Sequence, residues 1–351
     1  MLHQDYVNEA AGLLGRLIAV PSVSRDERLA ADTLQAFMEG AGLAPRREAN
    51  NLWVTDPDFR PVRPTVLLNA HIDTVRPAAS WQRDPFSPTV DGDRLYGLGS
   101  NDCGGGLVAL LQVFRAVTAR PHRVNLVYLA SAEEEVSGAD GFSRVLPLLP
   151  PVDMAIVGEP TAMQPAVAER GLMVVDGVAR GRSGHAARGE GVNAIYEALD
   201  DLLWLRDYRF ERVSELLGPT RMSVTVVQAG TQHNVVPDEC RFVIDVRTNE
   251  LYTNEEVFRF LAGHTRSELK ARSFRLGSSA IAPDHPLVRR CVALGLRPFG
   301  SPTLSDQALM PFPSVKIGPG DSARSHAADE YICLSELAEA ISLYQEILEG
   351  L

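Results

Sequence analysis

The sequence predicts an α/β fold: a doubly wound, mostly parallel sheet into which a ferredoxin-like α+β domain is inserted. Three observations carry this. Three short apolar, β-branched runs, at 65–70 (TVLLNA), 124–130 (VNLVYLA) and 154–158 (MAIVG), have the length and composition of strands buried on both faces. A helical stretch over roughly 104–117 separates the first two, the alternation expected of parallel strands. Residues 170–278 read instead in the order β-α-β-β-α-β, a split unit of the ferredoxin type.

The elements follow in order. Apolar residues at helical spacing mark a helix over 5–19, ended by Pro21. Ser24 with Glu27 has the spacing of a capping box for a second helix, roughly 25–41. The three buried strands and the helix between them come next. Within the insertion we expect a strand at 172–180, a helix at 192–206, strands at 222–229 and 240–247, a helix at 254–270 and a short strand near 273–277. The run 315–317 (VKI) and a final helix over roughly 334–349 then return to the first sheet. A chain of 351 residues suits two domains at roughly 100–200 residues each. The boundaries expected are 1–169 with 279–351 for a discontinuous first domain, and 170–278 for the insertion.

Composition excludes several classes. Hydrophobic residues make up 45% and charged residues 23%, as in ordinary globular proteins. No apolar run approaches the ~20 residues that span a bilayer, so no membrane association is expected. The start MLHQDYVNEA has neither the basic nor the apolar region of a signal peptide, which points to the cytoplasm. The net charge of −11 and the lack of a Lys/Arg cluster argue against a nucleic-acid partner. Cys103, Cys240, Cys291 and Cys333 are far apart and form no CxxC pair, so they read as reduced thiols.

The chemistry lies at the ends of the strands. His71 follows TVLLNA, with Asp73 two residues on. Glu133, Glu134 and Glu135 follow VNLVYLASA, and Glu159 follows MAIVG. Asp102 closes the loop YGLGSND ahead of a helix, and His326 comes after VKIGPG. In open α/β sheets, ligands bind outside the carboxyl ends of the strands, so these side chains are expected to converge. Two imidazoles and three carboxylates suffice for two divalent ions if one carboxylate bridges. Nitrogen and oxygen donors favour zinc, with cobalt or manganese as alternatives. Each piece has a plainer explanation. A lone His-x-Asp is usually a polar pair, and three glutamates usually a solvated helix start. Gly97-x-Gly99 can be a turn, and the Gly104–Gly106 run can simply permit close packing. Five separate strand ends and loops all carrying ligands is what chance explains poorly.

The motifs NAHIDTV (69–75), YGLGSND (96–102), AEEEVSG (132–138), VGEPT (157–161), GRSGHAA (181–187), NVVP (234–237), DVR (245–247) and SHAADE (325–330) span the chain. With them it resembles the family of dinuclear zinc amidohydrolases that includes acetylornithine deacetylase, succinyl-diaminopimelate desuccinylase, aminoacylase and glutamate-releasing carboxypeptidases. Within that family it is most similar to the arginine-biosynthesis deacylase branch. The resemblance implies that His71 and Glu159 hold one metal, Glu135 and His326 the other, and that Asp102 bridges them. It implies that Asp73 orients His71, that Glu134 is the general base, and that 170–278 is a lid and dimerisation domain. His185 would then stabilise the oxyanion from the partner subunit of a homodimer. Asn234 and Arg247 would grip a substrate carboxylate, beside a loop that begins at Gly318. Two departures stand out: Leu98 and Gly104 occupy positions where the family often has basic residues.

The expected activity is removal of an N-acyl group, acetyl or succinyl, from a small amino acid such as ornithine or citrulline. A succinyl group would need a second carboxylate partner, for which Arg188 and Lys316 are candidates. The rival activities are those of a dipeptidase or aminopeptidase on the same fold. A non-catalytic binding protein is the rival of another class, and the presence of Glu134 argues against it.

Overall fold

The computed structural model describes residues 3–351. The chain divides into two compact units. One takes in the chain up to Val167 together with Ile281–Phe299 and Ser305–Leu351, and the other takes Ala168–Ala280 with Gly300–Leu304.

In the first unit a sheet runs in the order Arg46–Glu48, Asn51–Thr55, Asn125–Ser131, Thr65–His71, Met154–Val157 and Ser314–Lys316. Its centre is parallel: Thr65–His71 lies between Asn125–Ser131 and Met154–Val157, and Ser314–Lys316 continues in the same sense. Every residue of Thr65–His71 and Asn125–Ser131 is buried, which is why these strands read as continuous apolar runs instead of alternating. The helix Gly105–Thr118 is buried almost all round. It packs on the sheet beside the helices His3–Ile18 and Leu334–Glu349. A Cβ at Gly106 would overlap the Gly158 carbonyl, so the glycine run does serve close helix–sheet packing.

Three expectations need correction. Ser24 and Glu27 form no capping box. The helix begins at Arg28, and no side chain caps it at Glu27. Ser24 donates instead to Asp73 (2.6 Å), and Glu27 accepts from the Arg25 N–H (2.5 Å) and from Asn50 (3.0 Å). The helix expected over 254–270 stops at His264, and the closing strand is Glu268–Ala271 instead of 273–277. A small sheet of Thr89–Asp91, Arg94–Tyr96 and Tyr331–Cys333 adds strands that the sequence pattern does not mark.

The second unit holds a four-stranded antiparallel sheet in the order Arg221–Ala229, Glu239–Arg247, Met173–Arg180, Glu268–Ala271. The helices Ala194–Asp207 and Asn254–His264 cover one face. Leu205, Val257 and Leu261 share a core there with Val175, Phe242, Ile244 and Val246. Those strand residues alternate, as a half-covered sheet requires. A side chain at Gly177 would run into the Phe242 ring. No helix among the described residues is long and apolar enough to cross a membrane.

Candidate metal centre

All five predicted ligands lie in the first unit, and the structure brings them together. His71 ends its strand and is buried. Its Nδ1–H donates to the Asp73 main-chain carbonyl at 2.8 Å, which fixes the tautomer and leaves Nε2 as the free donor atom. Around Nε2 stand Asp102 Oδ1 at 3.2 Å and Glu159 Oε1 at 3.5 Å. On the other side of the same carboxylate, Asp102 Oδ2 lies 3.6 Å from His326 Nε2, which is 3.0 Å from Glu135 Oε2. Two ligands about 2.0–2.2 Å from one tetrahedral ion stand roughly 3.3–3.6 Å apart, so these spacings fit a cation on each side of Asp102. The donor set is two imidazoles and three carboxylates, the hard-to-borderline mixture that suits zinc, cobalt or manganese.

Asp73 serves a wider purpose than the sequence suggested. Its carboxylate is 3.5 Å from His71 Nδ1, farther than the main-chain bond. Its two oxygens accept the N–H groups of Glu134 (3.0 Å) and Glu135 (3.2 Å) and the Ser24 hydroxyl. The residue thus places the backbone of both glutamates. Glu134 has no hydrogen bond to its carboxylate among the described residues, and its Oε2 stands 4.0 Å from His71 Nε2. Glu135 faces His326. Identical neighbours in sequence are therefore in different chemical surroundings.

Sequence reasoning missed two residues. Cys103 is buried, and its sulfur accepts the His71 N–H at 3.1 Å. Burial raises its thiol, so it stays protonated and acts as a neutral prop. Leu98 lines a cavity of about 20 Å³ with Leu14, Leu17, Ile18, Asp102 and Cys103. Glu330 is the second: it is buried, and its carboxylate accepts main-chain N–H groups from the loop that ends at Asp102.

Burial and like charge act on the cation-free cluster. Burial first, and the Asp102 charge next, push the Glu159 carboxyl up to about 8. The bond to Glu135 lifts the His326 imidazole to about 9. Burial also raises Glu134 well above its ordinary value. Asp73 and Asp102 go the other way: burial opposes it, but their bonds to His71 hold them low, so they titrate below this range. Folded-state values above the unfolded ones mean that the cation-free fold loses stability as pH climbs from about 4.5, the ordinary glutamate value, to about 9. Ions must displace those protons, so their affinity rises over the same range. Thermal unfolding of chelated and zinc-loaded protein at both ends of that range checks this. The chelated midpoint should fall with pH and the zinc-induced increment should grow. A flat chelated midpoint would remove the electrostatic account.

The remaining predicted residues belong to the second unit. His185 and Val235 form a β-bridge, and Ala186 N–H donates to Asn234 O at 3.1 Å, so His185 and Asn234 sit on paired segments. His185 Nδ1 accepts the Ala187 N–H at 3.1 Å, which leaves the proton on Nε2, ready to donate. Arg247 is held by Asp245 through Nε (2.8 Å) and Nη2 (3.1 Å). That pairing leaves Nη1 as its one guanidinium nitrogen without a hydrogen bond among the described residues. Back in the first unit, the Gly318 N–H donates to Thr161 Oγ1 at 3.1 Å, and Gly318 O accepts from the N–H groups of Thr161 and Met163. Lys316, a candidate partner for a succinyl carboxylate, is buried in its strand, where its charge lowers the Glu159 carboxyl.

The model of peptidase family M20/M25/M40 matches residues 67–350. The acetylornithine deacetylase of Klebsiella pneumoniae (strain 342) is 32% identical, over 76% of this chain and 75% of its own. The succinyl-diaminopimelate desuccinylase of Stenotrophomonas maltophilia (strain R551-3) is 28% identical, over 95% of this chain and 97% of its own. Among solved structures, a tripeptidase from Staphylococcus aureus superposes with a TM-score of 0.77 at 21% identity, covering 98% of each chain. A dinuclear metal-binding peptidase of the same family from Bacillus subtilis gives 0.74 at 18% identity, covering 99% of this chain and all of its own.

Proposed function

The chain belongs to peptidase family M20/M25/M40 and is a hydrolase of that family, and from that premise we propose that it is a dinuclear metal-dependent amidohydrolase removing an N-acetyl or N-succinyl group from an amino acid such as ornithine or citrulline. The observation that carries the dinuclear reading is Asp102, whose two oxygens face different imidazoles at 3.2 and 3.6 Å. His71 and Glu159 hold one ion, Glu135 and His326 the other, and Asp102 both. Two bound divalent ions, zinc by preference, supply a strong nucleophile at neutral pH and polarise the scissile carbonyl. Glu134 takes a proton from the attacking water and delivers it to the departing amine. Its buried carboxyl group, 4.0 Å from His71 Nε2 and without a hydrogen bond among the described residues, supports that role.

His185 Nε2–H donates to the developing oxyanion, acting across a homodimer. The second unit supports an oligomer. Arg221–Ala229 is a sheet edge with Val226 and Val227 exposed, and Tyr196, Leu199 and Leu203 form an exposed apolar stripe on the helix Ala194–Asp207. Mixing inactive His185→Ala with inactive Glu134→Ala subunits is expected to restore part of the activity. A fully active monomer would contradict the arrangement.

Asn234 and Arg247 bind the substrate carboxylate, with Asp245 steering the guanidinium and Nη1 free to donate. The deacylase reading rests on the curated relatives near 30% identity, whereas the peptidases superpose at identities that speak for the fold alone. The test is a panel of N-acetyl and N-succinyl amino acids, their α-carboxamides and small dipeptides, scored for amine release. Free acids should be preferred strongly, and Arg247→Ala should lose most of that preference. Equal turnover of acids and amides, or faster turnover of dipeptides, would move the assignment to a peptidase.

A further inference from the structure

Glu330 closes the motif SHAADE and is neither a proposed metal ligand nor a proposed proton carrier. It is buried, and its carboxylate accepts three main-chain N–H groups from one loop. Oε1 takes those of Asn101 (2.8 Å) and Asp102 (2.9 Å), and Oε2 takes that of Gly99 (3.0 Å). The Glu330 carbonyl also accepts the Gly97 N–H at 3.0 Å. The grip is returned by Asn101, also buried. Its Oδ1 accepts the Asp321 N–H and its Nδ2 donates to the Asp321 carbonyl, both at 3.0 Å. A Cβ at Gly320, where φ is +83°, would strike that same amide oxygen, so the close approach requires glycine.

The two segments zipped together are 97–102 and 320–330. The first carries the carboxylate proposed to be shared and the second carries His326, which serves one ion only. We propose that Glu330 and Asn101 form a reciprocal clamp that sets the spacing between Asp102 and His326, making Glu330 a positioning residue for the ion held by Glu135 and His326. This rests on the dinuclear reading of the site. The physical reason is specificity of place. Three N–H donors aimed at one carboxylate fix the loop ahead of Asp102 in a single conformation, since any other would leave buried donors unpaired. Residues that orient metal ligands in this way typically change metal affinity or activity ten- to a hundredfold when replaced.

The experiment is metal binding by titration with zinc, alongside the thermal midpoint of the metal-free protein, for the native chain, Glu330→Gln, Glu330→Ala and Asn101→Ala. Glutamine fills the same space but turns an N–H group toward one of the three donors, so it separates packing from hydrogen bonding. Native protein should bind two zinc ions. Glu330→Gln should bind one near native affinity and the second at least tenfold more weakly, with Glu330→Ala worse. Asn101→Ala should show the same selective loss from the other half of the clamp, which keeps the question open to test if the Glu330 variants fail to fold. A folded Glu330→Gln or Asn101→Ala protein that binds both ions like the native chain would overturn the clamp. Native protein that binds fewer than two ions would instead overturn the dinuclear reading, and the two failures are thus distinguishable.

Discussion

Glu134→Gln is expected to lower kcat about a hundred- to ten-thousandfold while leaving both metal sites filled. That range is the usual cost of removing a positioned general base, about 2.7–5.5 kcal/mol of barrier. The structure separates Glu134 from its neighbour on grounds that sequence could not supply. The Glu135 carboxylate lies against His326, whereas that of Glu134 has no hydrogen bond among the described residues. Its backbone is nevertheless fixed, because Asp73 accepts its N–H at 3.0 Å. An isosteric amide keeps this placement and the space filled, but it can neither take nor return a proton. Metal content by mass spectrometry and single-turnover kinetics decide the matter. A variant with near-native kcat shows that another group moves the proton. One that loses an ion shows that Glu134 and Glu135 have exchanged roles.

The central sheet was legible because its strands are buried on both faces. Continuous runs such as TVLLNA have little choice but to become interior strands. The candidate site was legible for a related reason: strand ends in such a sheet point one way, so His71, Glu134, Glu135 and Glu159 had to share a rim. What stayed hidden depends on partners distant in sequence. Ser24 and Glu27 have the local spacing of a helix cap, yet Asp73 draws the serine away and the glutamate turns to Arg25 and Asn50. Glu330 and its three donors are separated by 228–231 positions. The pairing of Arg247 with Asp245, by contrast, is one that sequence offers beside substrate binding, since the two lie two residues apart on one strand face. ELKA suits a helix by composition and so extends the expected helix to 270, and only pairing with Met173–Arg180 makes it a strand.

Asp102→Ala is expected to empty both metal sites and abolish activity, while Glu159→Ala weakens mainly one. The asymmetry follows from charge as well as geometry. Paired dications in such sites stand about 3.5–4 Å apart and repel each other four times as strongly as unit charges would. A carboxylate between them is the one ligand that attracts both at once. Asp102 is placed for this, with Oδ1 toward His71 and Oδ2 toward His326. Without it, each ion keeps one imidazole and one carboxylate and gains an unshielded neighbour. Glu159 has no such double role, since it approaches His71 at 3.5 Å and lies on that side only. The measurement is zinc bound per chain after passage through a metal-free column, with the fold checked by circular dichroism. The native chain should retain about two ions, Glu159→Ala about one and Asp102→Ala essentially none. Chelation of the native protein should abolish turnover, and zinc or cobalt should restore it. A folded Asp102→Ala protein that still holds two ions would mean that each site is complete without a shared ligand.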